Sequence, residues 1–211
     1  MTDLPQPPLL LITDRHQAVR PLHEIAEAAF SAGCRWLSIR EKDLPASDLQ
    51  ALVADLMVVG ERYGARIGLH GTADQARALG VGAVHLASGS DVTAARRTMG
   101  PEALVGISIH SADDAAEVDP LLADYAVIGP AFVTRSKPGY GPALETAGIA
   151  AAARRSRVPL LAVGGIDMNN AAGMFPAGAA GICVMGGIMR APDPARDIGC
   201  LVTAIGGQRG R

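Results

Sequence analysis

Residues 124–142 read DYAVIGPAFVTRSKPGYGP. The run 125–128 is short and apolar, and Gly129-Pro130 closes it. That pattern predicts a buried strand ending at a turn. The loop that follows carries Thr134, Arg135, Ser136 and Lys137 in succession, then the Gly-Pro-rich segment 138–142. Hydroxyls, cations and glycine amides on one loop are groups that hold a phosphate or diphosphate. The same residue types also make ordinary solvated loops.

The strand-then-loop unit recurs on both sides of this stretch. Apolar runs at 9–12, 36–39, 65–69, 83–86, 104–109, 125–128, 159–163 and 181–185 predict strands. Between and after them, helical spacing covers 21–32, 45–63, 72–79, 91–99, 111–118, 143–155, 167–174 and 193–205. Gly33, Gly64, Gly80 and Gly100-Pro101 punctuate helix ends. Ser111 with Asp114 three residues on reads as a partial capping box. Eight strand–helix alternations predict a closed (β/α)8 TIM barrel. It forms one domain over 1–211, with a frayed tail from about 206. An open doubly wound sheet is the competing architecture. It would want a glycine-rich turn after the first strand, and Thr13-Asp14-Arg15-His16 has none.

Composition agrees with a small-residue α/β core: 49% of residues are hydrophobic and only 3% aromatic, in 211 residues. A net charge of −2 gives no reason to expect a nucleic-acid or membrane-surface partner. Cys34, Cys183 and Cys200 are widely spaced and form no CxxC pair, so neither a zinc ribbon nor a disulfide framework is expected. The run 8–12 is far too short for a signal or a span, which implies a cytoplasmic protein.

A (β/α)8 barrel places its active site at the C-terminal ends of the strands. Here those ends carry Asp14-Arg15-His16, Arg40, Lys42, His70, His85, His110, Thr134, Ser136, Lys137, Gly164-Gly165 and Gly186-Gly187. Paired glycines after strands 7 and 8 suit phosphate binding through backbone N–H groups. Period-two alternation puts Arg40 and Lys42 on one face and Glu41 on the other. Facing inward, the two cations would hold a polyanion; facing outward, 40–43 is a self-neutralising charged turn. His70, His85 and His110 end three successive strands, but no nearby carboxylate completes a metal site, and no metal ligand is assigned. His110 is the candidate acid/base, because imidazole titrates near neutrality and this one adjoins the anion loop.

In order, Leu11-Ile12-Thr13-Asp14, Ser38-Ile39-Arg40-Glu41-Lys42-Asp43, Val84-His85-Leu86, Gly106-Ile107-Ser108-Ile109-His110-Ser111, the segment from Gly129-Pro130 to Lys137, Ala162-Val163-Gly164-Gly165-Ile166 and residues 181–188 resemble the thiamine phosphate synthase/TenI superfamily of (β/α)8 barrels. The resemblance spans all eight strands. It implies work on thiamine precursors. Synthase members join a hydroxymethylpyrimidine diphosphate to a thiazole phosphate with Mg²⁺, expelling diphosphate. TenI members isomerise a carboxythiazole phosphate without metal. Arg40, Lys42, Thr134, Ser136 and Lys137 match the diphosphate side. Gly165 and the Gly186-Gly187-Ile188 turn match the thiazole-phosphate side, and His110 matches the TenI proton-transfer residue.

Four positions depart from the synthase pattern. Ser38 stands where synthases carry a pyrimidine-contacting Gln, and His70-Gly71 where they carry Asn-Asp. Ala87-Ser88-Gly89-Ser90 replaces a Gln-Glu-Asp run, and Gly186 replaces a serine. Two carboxylates expected to ligate Mg²⁺, a cation that wants oxygen ligands, are thereby missing. The resemblance therefore puts a metal-free thiazole tautomerase first, with His110 and Lys137 catalytic and no cofactor. Ser38, Arg40, Lys42, His70, Thr134, Ser136, Gly165, Gly186 and Gly187 would bind substrate and phosphate. A divergent Mg²⁺-dependent synthase, using Asp14 or Asp91 as ligands, is the alternative; a non-catalytic phosphate-binding regulator is a third. The expected partner is a small phosphorylated substrate, and a homodimer is compatible with all three.

Overall fold

Each of the eight apolar runs forms a strand in the computed structural model, which describes residues 3–136, 139 and 141–207. The strands are β1 (Leu9–Ile12), β2 (Trp36–Ile39), β3 (Arg66–His70), β4 (Ala83–Leu86), β5 (Leu104–Ile109), β6 (Tyr125–Ile128), β7 (Leu160–Val163) and β8 (Gly181–Val184). All neighbours pair in parallel, and β8 returns to β1 through Leu10 and Cys183, closing the barrel. The helices are α1 (Leu22–Ser31), α2 (Ala46–Arg62), α3 (Ala73–Ala78), α4 (Val92–Met99), α5 (Ala112–Glu117), α6 (Glu145–Ala153), α7 (Gly186–Met189) and α8 (Pro194–Gly206). None of these is long and apolar enough to cross a membrane. Residues 208–211 of the expected tail lie outside the described residues.

Two apolar clusters follow from strand alternation. Leu9, Leu11, Leu37 and Ile39 face the helices, where α1 meets them with Leu22, Ile25, Ala26, Ala29 and Phe30. That spacing is one helical face. Leu10, Ile12, Trp36, Leu104, Tyr125, Val127, Leu161 and Cys183 fill the barrel interior. Trp36 and Tyr125 meet edge-to-face there, with centroids 4.9 Å apart. The interior is packed closely enough that two strand positions have no room for a side chain. Gly106 stands against the Tyr125 ring, and a Cβ on Gly68 would come within 2.9 Å of Ala83 Cβ.

Away from the strands' C-terminal ends, Arg96 in the last turn of α4 bonds Asp124 at 2.6 Å, together with the carbonyls of Leu122, Gly100 and Ala103. Asp124 also accepts the Val105 amide at 2.8 Å. This network ties α4 to the entry of β5 and β6.

Two elements differ from the sequence-based expectation. The helix expected over 167–174 is only a 3₁₀ turn, Ala171–Met174. Asp167 accepts the Asn169 amide and Asn170 accepts the Asp167 amide, so side chains take the backbone donors that a first helical turn would use. Conversely, the turn expected at 186–188 is the one-turn helix α7. The Ser111–Asp114 pair forms a complete capping box on α5.

Replacing Gly106 by Ala would drive a methyl into the Tyr125 ring. Urea denaturation should show a loss of about 1–3 kcal/mol, the range for overpacking a filled core. A loss under about 0.5 kcal/mol, typical of a neutral site, would contradict the packing described.

Candidate active site

Strand β2 ends in Arg40-Glu41-Lys42-Asp43, and the structure separates these charges by sign. Thr13 Oγ1 accepts the Arg40 amide at 2.9 Å, which fixes the start of the turn. Glu41 is buried and accepts the Arg15 amide at 3.1 and 3.2 Å and the Arg15 guanidinium at 3.2 Å. Asp43 takes the other face of that guanidinium in two 2.7 Å bonds, with His16 at 2.9 Å. Arg15 and His16 hold the Asp43 carboxyl well below the usual carboxylate range, and Asp43 first, then Glu41, pushes the Arg15 pKa up. Arg15 thus engages both acids. Arg40 and Lys42 form no ion pair among the described residues and line the barrel mouth.

The mouth is a cavity of about 630 Å³. Four cationic residues line it, Arg40, Lys42, Arg135 and Arg190, against one carboxylate among the described residues, Asp167. His70, His110, Thr134, Ser136, Gly165, Gly186 and Gly187 also reach it, as the sequence predicts. Lys137 lies outside the described residues. Ser38 is buried at 3% exposure, and its hydroxyl has no hydrogen-bond partner among the described residues. It sits one inward position below Arg40, in the barrel rather than at the cavity wall.

Opposite β2, the β6–α6 loop is laid over the end of β7. Ala131 N donates to Val163 O at 2.7 Å and Phe132 N to Gly164 O at 2.9 Å. Gly164 and Gly165 have φ of 101° and 63°, and a Cβ on Gly164 would come within 2.9 Å of Pro130. One on Gly165 would run into Phe132 and the Val133 carbonyl. Glycine is required here by loop packing as well as by any approach of an anion. Thr134 Oγ1 accepts the Ser136 amide at 3.2 Å, a local turn in the loop that lines the cavity.

The three histidines separate by role. His85 is buried at 2% exposure and interacts with Ser108 Oγ at 2.8 Å and Tyr125 Oη at 3.3 Å. Burial pushes its pKa down to about 3, so the ring is neutral near pH 7. The His70 ring lies 4.7 Å from it, centroid to centroid. His110 stands apart, its Nδ1 3.1 Å from the Gly129 carbonyl and its amide bonded to Asp114 at 2.8 Å. A carbonyl only accepts, so Nδ1 carries the proton and the neutral ring has its lone pair on Nε2. That backbone bond is the first cause of the lowered Asp114 pKa.

The oxygen donors do not fit Mg²⁺. Asp91 caps α4, accepting the Ala94 amide at 2.9 Å. Asp14 accepts the His16 amide at 3.2 Å and Gln17 Nε2 at 2.6 Å. Gly71 and Ala87 are the first residues after β3 and β4, the strands that carry His70 and His85. Among the described residues no group of three His, Cys, Asp or Glu side chains could hold a metal ion. Arg190, Gln17 and Ser108 are site residues that sequence reasoning missed. Reading 186–190 as helix would have been the signal for Arg190, since i to i+4 puts it over Gly186.

Residues 9–188 match the family model described as thiamine monophosphate synthase. A Geobacter sulfurreducens protein provisionally named thiamine-phosphate synthase is 38% identical over 199 residues, 93% of each chain. The thiamine-phosphate synthase of a Roseiflexus species is 36% identical over 187 residues, covering 87% of this chain and 79% of that one. The solved structure of a thiamine phosphate pyrophosphorylase from Pyrococcus furiosus shares the fold with a TM-score of 0.83 at 24% identity, over 94% of this chain and 95% of that one.

The depressed His85 pKa makes stability depend on pH. The unfolded imidazole binds a proton near pH 6.5 and the folded one does not, so stability is full above that value and is lost as pH falls. Between pH 7.5 and 5.5 the loss should be about 1.4 kcal/mol. Denaturant titrations of His85→Gln should lack this increment; an unchanged pH slope would show that His85 is protonated in the folded state.

Proposed function

Because the chain belongs to the thiamine monophosphate synthase family, we propose that it is a thiamine-pathway transferase joining a hydroxymethylpyrimidine diphosphate to a thiazole phosphate. The observation that carries this reading is a cavity with anion-attracting groups supplied from two sets of elements, β2 and the loops after β6 to β8. Arg40 and Lys42 stand on the β2 side; Thr134, Arg190 and the glycine backbone stand on the β6–β8 side. Joining two phosphorylated substrates requires two such sets, whereas isomerising one thiazole phosphate requires one. The names of the similar proteins support the same order, which reverses the ranking expected from the missing carboxylates.

In this reading the thiazole nitrogen attacks the pyrimidine methylene carbon. The new C–N bond forms as the C–O bond breaks, and diphosphate leaves with the electron pair. Arg40 and Lys42 bind the diphosphate and neutralise charge as it departs. They are preset, because the Glu41–Arg15 contact holds the turn before any ligand arrives. The glycine turns after β7 and β8 orient the thiazole phosphate, Thr134 keeps the diphosphate-side place that the resemblance gave it, and orientation of two bound reactants lowers the entropic part of the barrier. No step is assigned to Mg²⁺, since the carboxylates near the mouth are engaged elsewhere.

A second reading has its own support. With no carboxylate ligand set among the described residues at the β3 and β4 ends, and with His110 at the cavity wall, proton transfer on a thiazole phosphate is chemically open. There His110 would take and return one proton.

Turnover of the two phosphorylated substrates, with Mg²⁺ and with excess EDTA, tests the first reading. Thiamine phosphate should form, and Arg40→Ala or Lys42→Ala should lower kcat/KM by about 10- to 100-fold, the worth of a charge-assisted contact. No product in either buffer would reject it. The carboxythiazole tautomer is then the substrate. His110→Asn should slow its isomerisation by about 100- to 10,000-fold with ligand binding retained, and absence of turnover in both proteins would leave a binding protein.

A further inference from the structure

Gly186 opens α7 immediately after β8, at the phosphate end of the cavity. A Cβ at this glycine would fall on three atoms at once: Ser136 Oγ, Gln17 Oε1 and Arg190 Nη1. These come from the β6–α6 loop, the β1–α1 loop and the end of α7, with Gln17 separated from Ser136 by 119 residues and from Arg190 by 173. They meet where a side chain at position 186 would otherwise project. The crowding is with polar side-chain ends, so it has a chemical consequence as well as a steric one.

The contacts have a fixed polarity. Asp14 is a carboxylate and only accepts, so the Gln17 atom 2.6 Å from it is the amide nitrogen. Gln17 Oε1 therefore turns the other way. It accepts the Ser136 hydroxyl at 3.0 Å and an Arg190 guanidinium N–H. Arg190 N in turn donates to Gly186 O at 3.1 Å, which stacks the arginine one turn above the glycine. The Ser136 proton is directed at Gln17 and not at the cavity. A guanidinium offers five N–H donors in a planar fork, and one amide oxygen does not exhaust them. Arg190 has no ion pair among the described residues and lines the cavity.

We infer that Arg190, aimed by Gln17, is a phosphate-binding residue of this site, and that Gly186 is glycine to leave room for the Asp14–Gln17–Ser136–Arg190 cluster. A guanidinium fork matches phosphate geometry in a way that a single hydroxyl does not. Arg190 is the ligand-contacting group; Gln17 and Asp14 are positioning residues. This deepens the phosphate-end assignment above and rests on it.

Calorimetric titration of the full chain with thiazole phosphate, the same thiazole as free alcohol, and inorganic phosphate tests the inference. Arg190→Ala should weaken thiazole phosphate and inorganic phosphate by about 10- to 100-fold while changing affinity for the alcohol by less than about twofold. Arg190→Lys, which keeps charge but loses the fork, should recover only part of the loss. Gln17→Ala and Gly186→Ser should each lower the preference for phosphate over alcohol by about 3- to 10-fold, a ratio that a general packing defect would leave unchanged. Unchanged phosphate affinity in Arg190→Ala, or equal loss of phosphate and alcohol, would overturn the role of Arg190 and spare the wider reading. A wild-type chain that binds inorganic phosphate but not thiazole phosphate would reject the thiazole substrate, and Arg190→Ala would then be judged on inorganic phosphate. A wild-type chain that binds neither would overturn the phosphate end and this inference together.

Discussion

The contact on which the site depends is the burial of Glu41 against Arg15. In a parallel barrel each strand offers one side to the helices and the other to the axis. At the end of β2 the chain alternates cation and acid, so one sign must go to each side. Burying a carboxylate is costly unless it is paired and hydrogen-bonded. Arg15 supplies both functions, with a backbone amide and a guanidinium, and then spans to Asp43. With both acids held there, Arg40 and Lys42 reach the mouth without internal counter-charges from their own turn. The cost of gathering like charges is met by tertiary structure before a ligand binds.

Below the mouth the barrel is plugged. Trp36 and Tyr125 pack edge-to-face, with the Tyr125 ring in the space that Gly106 vacates, and His85 links Tyr125 to Ser108 at the cavity floor. The plug sets the depth of the pocket. It also keeps His85 neutral, because an imidazolium there would be desolvated with no acid in contact. The cavity is thereby confined to one end of the barrel. The opposite end carries the Arg96–Asp124 network, whose bonds run to backbone carbonyls and an amide and serve stability.

The strands were legible because their signals are local: short aliphatic runs bounded by glycine, proline and charge. Their ends fall within a residue or two of the expected positions, and β3 slides by one so that His70 closes it and pairs with His85. The Ser111–Asp114 cap was legible for the same reason. Residues 167–174 misled because Asp167 and Asn170 compete for the backbone, a choice that composition does not display. The partner of Glu41 lies 26 residues away, and Gln17 meets Ser136 across 119. No periodicity reports such contacts. Nor could the sequence tell that Gly165 makes room for Phe132, so its glycine was assigned to an anion alone.

Charge at the mouth links the fold to the chemistry. The whole chain carries −2, yet the described wall of the cavity presents Arg40, Lys42, Arg135 and Arg190 against Asp167. A concave site of one sign with low-dielectric walls concentrates the opposite sign. A metal site would need carboxylates on this same wall, and these would offset the positive field when the metal is absent. Glycine and alanine at the β3 and β4 ends remove that opposition. The described wall is then predominantly cationic with or without a bound ion, and its cations are supplied from the end of β2, from the β6–α6 loop and from the end of α7 rather than from one turn.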